Sequence, residues 1–354
     1  MKVLVTLAAI GTVCTAQLGA QGLFQQAPET HYNTVVTGDS LVGPGVGVNN
    51  PLYLPPATDN NYSGVVNLWF RNAAGAVTSA CTGSLLNNRN ILTAGHCVST
   101  GTNSVVHASF TARFRNADGT FTEVNGTGFR VQQNYSGAVL EEQDVAVLTL
   151  SSDAPATARR YTLFAGNPLV NYTMAGYGRT GTGLTGDNNT VNNQFGAVNV
   201  LRAGQNRFES TGQDNGQFAT IVNPDFAGFG GILISDFDRT AQSTAGFVCT
   251  GLGFCNEGFA LETAIGRGDS GSAAFSEGWQ VLGVSSWGSG SGGVLSRYGN
   301  YFGYACVANF AGNQRCTENY NFVINSLVPE PSTYALMATG LVGIIGLARR
   351  RRVS

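Results

Sequence analysis

The sequence predicts an all-β fold, and three observations carry that prediction. Short β-branched and aromatic runs recur between turn residues, as in Val65-Val66-Asn67-Leu68-Trp69-Phe70 and Val145 to Leu150. Glycine is abundant, 48 of 354 residues, and with asparagine it punctuates the apolar runs at close intervals. Charged residues make up only 11% of the chain against 43% hydrophobic, which suits a β-rich exported protein with long polar loops better than a helical cytosolic enzyme. Many short strands joined by such turns indicate barrels or sandwiches.

Taken in order, Met1 to about Ala20 reads as a secretory signal: Lys2 supplies the positive end, Val3 to Val13 is a short apolar run, and cleavage fits after Ala16 or Ala20. Residues 21–62 form an extended leader or pro-segment, rich in Gly43-Pro44-Gly45, Asn49-Asn50-Pro51 and Pro55-Pro56, with no sustained period. Strand patterning begins at Ser63 and continues through Val105 to Phe114, Thr127 to Val131 and Val145 to Leu150. A second half opens with Tyr172 to Gly178 and later carries Gly271 to Phe275 and Gln280 to Ser286. Between them, residues 180–245 read as expanded surface loops. Asp236 and Asp238 could contribute to a calcium site there, but two carboxylates are too few to claim one, and a solvated loop is the expected reading, with no metal ligand assigned.

The tail carries its own signal. Val328-Pro329-Glu330-Pro331-Ser332 precedes an uncharged run from Tyr334 to Ala348 and then Arg349 to Arg352. Fifteen residues span about 22 Å at ~1.5 Å each, short of the roughly 20 residues a membrane span prefers. Read as a transmembrane helix, the run keeps its arginines on the cytoplasmic side. Without Lys2, Glu330 and the four terminal arginines, 14 basic residues remain against 20 acidic ones. With no basic patch, nucleic acid is excluded as a partner.

The chemistry concentrates in three places. Gly266-Arg267-Gly268-Asp269-Ser270-Gly271-Ser272 is a serine on a glycine-rich turn ahead of an apolar strand. A hydroxyl attacks a carbonyl well only where a base takes its proton and donors receive the oxyanion. Of the three histidines, His96 lies in Ile91-Leu92-Thr93-Ala94-Gly95-His96-Cys97, a strand entering a tight turn, while His31 and His107 fit no such motif. Asp144 opens the strand Val145 to Leu150; Asp153, its nearest rival, sits in a plain turn after it. Export leaves six cysteines after Cys14 goes with the signal, none in a Cys-x-x-Cys pair with a nearby histidine as a zinc site needs.

Together with Cys81-Thr82-Gly83-Ser84-Leu85-Leu86, these motifs resemble the trypsin/chymotrypsin-like serine peptidases in order and approximate spacing, over about residues 63 to 327. The resemblance implies two six-stranded antiparallel β-barrels, about 63–160 and 161–315, with a short closing helix at Tyr320 to Leu327. It implies a catalytic triad of His96, Asp144 and Ser270, with Gly268 and Ser270 as the oxyanion hole and no cofactor. It pairs Cys81 with Cys97. Of the other four cysteines, Cys249 with Cys255 and Cys306 with Cys316 are the short-loop choices among three connectivities. Ala264 falls at the floor of the primary pocket, Ser286, Trp287 and Gly288 at its wall, and Gly303 at its entrance, which favours a small or aromatic apolar side chain. If Glu262 moves into the pocket instead, a basic residue is selected. The segment from Ser286 is the rim along which substrate backbone adds as an extra strand.

Asp269 is where an amine freed by leader cleavage would pair in that family, and Leu41-Val42-Gly43 is only a weak match to such an N-terminus. Residues 328–354 resemble the PEP-CTERM sorting signal of Gram-negative bacteria, implying an exosortase-type partner, transient membrane anchoring through the tail, and delivery to the cell surface or beyond. Two functions are expected to compete: an exported serine endopeptidase acting on protein or peptide substrates, and a peptidase-like binding or matrix protein that keeps the fold without turnover.

Overall fold

The computed structural model describes residues 24–26, 37–38, 53–101, 104–138, 141–179, 181, 186–187, 200–211, 230–237, 262–291, 294–295, 301–328 and 339. The signal segment, most of the leader, Asp238, Cys249, Cys255 and all of the tail run except Thr339 lie outside the described residues.

Two short leader strands come first, β1 (Phe24–Gln26) and β2 (Thr37–Gly38). The first half then builds β3 (Val65–Arg71), β4 (Val77–Leu85), β5 (Asn90–Thr93), β6 (Ser109–Arg115), β7 (Phe121–Val131) and β8 (Ala146–Leu150). All neighbours are antiparallel, and the order β3-β4-β5-β8-β7-β6 closes on itself as a barrel. Closure removes the exposed edges a flat sheet would carry. Alternation along each strand decides which side chains fill it. Val66, Leu68 and Phe70 of β3 meet Ile91, Phe110, Ala112, Phe114, Ala146, Leu148 and Leu150 inside. The intervening Val65, Leu92, Val145 and Val147 point the other way, into a second apolar cluster shared with the other half of the chain. Both faces of β5 and β8 are therefore buried, which explains their near-continuous apolar sequences.

The second half contains β9 (Thr162–Leu163), β10 (Asn171–Gly176), β11 (Arg202–Arg207), β12 (Ser210–Thr211), β13 (Ile232–Asp236), β14 (Thr263–Ala264), β15 (Ala273–Phe275), β16 (Gln280–Ser291), β17 (Val294–Leu295) and β18 (Tyr301–Cys306). Hydrogen bonding runs β11-β10-β15-β16-β18-β13-β12. The first and last members of that path are two parts of one bent stretch, interrupted only at Phe208 and Glu209, and the Glu209 N–H still reaches the Ile234 carbonyl at 3.0 Å. The sheet thus returns to its starting strand, a second six-stranded barrel. The two bodies meet across the cluster of Val65, Leu92 and Val147 with Tyr177, Ala273, Val284 and Val307.

The chain ends its described part in helix α1 (Gln314–Leu327). Asn313 starts it, its side-chain oxygen accepting from the N–H groups of Arg315 and Cys316. The helix begins earlier than the expected Tyr320 because its first turns are polar and the apolar pattern does not reveal them. A disulfide joins Cys306 at the end of β18 to Cys316. Two other expectations shift. The strand expected from Val105 starts at Ser109, because Val105 makes only an isolated bridge to Ser99 while Val106 and Ala108 bond Val98 and Arg71. The strand expected from Gly271 starts at Ala273, because Gly271 takes φ +80° in the preceding turn. Among the described residues, no helix is long and apolar enough to cross a membrane.

Candidate active site

Strand pairing brings the first two site residues together. β5 and β8 are antiparallel with Thr93 opposite Ala146, so the turn leaving β5 lies beside the loop entering β8. That turn is a single 3-10 turn, Gly95–Cys97, carrying His96; Asp144 lies in that loop. Both side chains are buried. Asp144 Oδ1 accepts the His96 backbone N–H at 2.7 Å, and Oδ2 lies 2.6 Å from His96 Nδ1. Oδ2 also accepts the Ser286 hydroxyl. These donors satisfy both oxygens of the buried carboxylate. Because a carboxylate only accepts, Nδ1 is the donor of this pair.

The serine loop reaches this place from the second barrel, between β14 and β15. Thr82 of β4 holds it at two points: its N–H donates to the Ser270 carbonyl at 2.9 Å, and its hydroxyl donates to the Gly268 carbonyl at 3.0 Å. Thr82 in turn accepts from the Thr93 hydroxyl at its carbonyl and from the Tyr177 N–H at its own hydroxyl. The Cys81–Cys97 disulfide lies alongside, with Cys97 Sγ 3.6 Å from the Ser270 carbonyl oxygen. His96 immediately precedes Cys97, so its backbone and that of Ser270 meet at one junction. Gly271 makes the approach possible: at φ +80°, a Cβ would lie 2.0 Å from Thr93 Oγ1 and 2.5 Å from the Thr82 carbonyl oxygen.

Two backbone N–H groups of this loop point away from its internal bonds. Trans peptide units point C=O and N–H in opposite directions. The Arg267 carbonyl accepts from the Arg179 N–H at 3.0 Å, which turns the Gly268 N–H the other way. The Asp269 carbonyl accepts from the Ser272 N–H at 2.7 Å, which does the same for the Ser270 N–H. Among the described residues, the N–H groups of Asp269, Gly271 and Ser272 are engaged within the fold, whereas those of Gly268 and Ser270 make no hydrogen bond.

Asp269 is fully buried and finds backbone partners, the Gly178 N–H at 2.7 Å and the Gly266 N–H at 2.8 Å. Burial nevertheless pushes its carboxyl up to about 7, against the pull of those two N–H groups; Asp187 nearby adds to the rise and Arg202 opposes it. These contacts form with the leader still in the chain.

Among the pocket residues, Ala264 is buried in an apolar cluster with Phe302, Leu233 and Phe237, and its backbone pairs with Thr37 of β2. Ser286, expected in the pocket wall, has its hydroxyl engaged by Asp144. Trp287 is buried against Gly303, where a Cβ would come within 2.4 Å of the indole. Gly288 pairs with Phe302 of β18 on one side and Gln25 of β1 on the other. Glu262 is buried, its carbonyl accepting from the Tyr53 hydroxyl at 3.1 Å. His107 is held away from the site, its ring 4.9 Å from that of Phe70 and its Nε2 3.1 Å from the Cys97 carbonyl oxygen. Sequence reasoning missed Thr82; its place beside Cys81 was the only local signal. Among the described residues, no group of three or more His, Cys, Asp or Glu side chains is placed to hold a metal ion.

Comparison with known proteins places the chain beside known families and folds. Residues 56–229 match the Trypsin family model, a span that holds His96 and Asp144 and stops before Ser270. Residues 327–352 match the PEP-CTERM protein-sorting motif. The alkaline trypsin B of Manduca sexta is 32% identical over 96 residues, 27% of this chain and 36% of that protein, so the match spans about a third of that relative's length. The solved structure of HL collagenase superposes with a TM-score of 0.50 at 17% identity, covering 78% of this chain and 98% of that one, a likeness of fold.

Proposed function

From a chain that carries a trypsin domain on a chymotrypsin-like fold and ends in a PEP-CTERM sorting motif, we propose an exported serine endopeptidase that hydrolyses peptide bonds through an acyl-enzyme. The observation that carries this reading is the meeting of the Asp144–His96 pair with the Ser270 loop at the seam of the two barrels.

Each residue has one task. Ser270 Oγ attacks the scissile carbonyl carbon as His96 Nε2 takes its proton. Asp144, held by three donors, keeps Nδ1 protonated and favours the imidazolium that forms. The carbonyl oxygen becomes an oxyanion and receives the Gly268 and Ser270 N–H groups; losing one such donor typically costs roughly 10²–10³ in rate. Collapse expels the amine, which takes the proton from His96, and water repeats the sequence to release the acid. An unperturbed imidazole titrates near ~6.5, so one histidine serves as base and then acid around neutral pH.

The sorting motif and the two disulfides support a route across the inner membrane of a Gram-negative bacterium, processing by an exosortase-type enzyme, and a working place outside the cytoplasm. Anchoring through the tail before that processing is part of this proposal.

The test is covalent labelling by a fluorophosphonate probe, with Ser270→Ala as the control. Labelling that disappears in the variant supports the hydrolase. A processed protein that never labels, with its leader removed, supports the competing reading of a binding or matrix protein. Cleavage of a peptide library by the same preparation reports which side chain the pocket takes.

A further inference from the structure

The strand that would receive substrate already has a neighbour. β16 pairs with β18 on one side, with Trp287 opposite Gly303 and Gly288 opposite Phe302. On its other side β15 ends its pairing at Val284, and farther along β1 is antiparallel to β16: Phe24 opposite Ser289, Gln25 opposite Gly288, Gln26 opposite Trp287. The direction of that register matters. Reading from Phe24 to Gln26, the leader advances along β16 toward Ser286, whose hydroxyl rests on Asp144. An extended peptide that adds to this edge on its way to Ser270 needs the same backbone groups.

A second leader strand grips the other side of the serine loop. β2 pairs with β14, placing Gly38 opposite Thr263 and Thr37 opposite Ala264, the residue expected at the pocket floor. Farther along the leader, Tyr53 is buried and donates to the carbonyl of Glu262, the residue before β14. Three separate leader positions therefore bind the two backbone segments, 262–264 and 287–289, that flank the candidate pocket.

We propose that the leader is an inhibitor in cis: residues 24–26 occupy the substrate-accepting edge of β16 while residues 37–38 and Tyr53 hold the leader on β14. This rests on the peptidase reading above. The inhibition is occupancy of the edge, and the Asp144–His96 pair and the backbone of the Ser270 loop already meet beneath it. The Gly268 and Ser270 N–H groups are already turned outward by the Arg179–Arg267 and Ser272–Asp269 bonds, and Asp269 already holds two N–H partners. Activity should then follow displacement of β1, with no requirement that a newly cut amine reach Asp269. Strand addition gains its affinity from main-chain hydrogen bonds, so it is sensitive to removal of a donor.

The experiment compares the full chain with Gln25→Pro/Gln26→Pro. Adjacent strand residues direct their N–H groups to opposite sides, so one of the two prolines must remove a donor to β16. Amide exchange is measured first, in the Ser270→Ala background so that the chain does not cut itself. Slow exchange at the residue 24–26 amides that face β16 is the expected result, and in the double proline variant, which keeps no amide at 25 or 26, the residue 287–289 amides that face β1 should lose their protection; fast exchange at every one of 24–26 in the unaltered leader overturns the proposal. Hydrolysis of a short peptide ester follows in the Ser270 chain. The proline variant should turn over at least about tenfold faster than the unaltered chain, and equal rates overturn inhibition. If the 24–26 amides are protected but neither chain hydrolyses the ester or labels with fluorophosphonate, the peptidase reading fails, and cis inhibition with it.

Discussion

The Thr82 hydroxyl donates to the Gly268 carbonyl at 3.0 Å, joining β4 of the first barrel to the serine loop of the second. It fixes the Gly268–Asp269 peptide unit between the two proposed oxyanion donors. Thr82→Val keeps the shape and the backbone N–H to Ser270 but removes this bond, together with the one the hydroxyl accepts from the Tyr177 N–H. A neutral hydrogen bond contributes about 1 kcal/mol, so kcat should fall roughly five- to tenfold with KM little changed. Thr82→Ser should restore it. Steady-state kinetics on the three proteins decide; a loss confined to KM would mean the hydroxyl does not steady the oxyanion loop.

Ser286 bonds Asp144 Oδ2, the same oxygen that faces His96 Nδ1. Ser286→Ala leaves that oxygen with one donor fewer, so more of its charge falls to the imidazole. The imidazolium is then favoured, and the acid limb of the pH–rate profile should move to higher pH as kcat/KM drops roughly tenfold. An acid limb that stays in place would show that the serine does not act through Asp144.

Asp269 carries the clearest pH linkage. Its carboxyl is raised from 3.8 to about 7, chiefly by burial, so the folded state holds a proton that the unfolded chain has released. The stabilisation is complete below about pH 3.8 and is lost as pH climbs through about 7. Asp269→Asn removes the titration and should flatten the fall in stability across that window. Urea unfolding at half-unit steps of pH checks it, and parallel slopes in the two proteins would refute the assignment.

The Cys306–Cys316 bridge, with a sequence separation of 10, ties α1 to the end of β18. Asn319 works beside it, donating to the Glu142 carbonyl at 2.7 Å and the Cys306 carbonyl at 2.9 Å. Replacing both cysteines by serine should lower stability by about 2–3 kcal/mol on loop-closure grounds. A thermal melt that hardly changes would mean the helix is held by Asn319 and the Arg315–Glu142 ion pair alone.

Residues with a local signature were legible in the sequence. A strand that runs into Ala94-Gly95-His96-Cys97, an acid at the mouth of an apolar strand, and a serine among glycines each mark themselves within a few positions. Hydroxyls whose partners lie far away do not. Thr82 and Ser286 choose acceptors 186 and 142 residues distant, and only the closed barrels bring them there. The bent stretch of β11 and β12 was hidden for another reason. Arg202-Ala203-Gly204-Gln205-Asn206-Arg207 lacks β-branched residues, yet its backbone pairs with β10 along its whole length, and buried Asn206 is satisfied by the Asp236 and Thr263 carbonyls. Satisfied polar groups can line a strand that no apolar alternation announces.

The Cys81–Cys97 bond touches the carbonyl of the very residue proposed to attack substrate. On the proposed export route, a polypeptide still awaiting translocation sits among reduced thiols and lacks that staple. On that reading the cell is shielded from the proposed hydrolase by redox chemistry as well as by topology, and hydrolysis assayed with and without dithiothreitol would measure how deep that dormancy is.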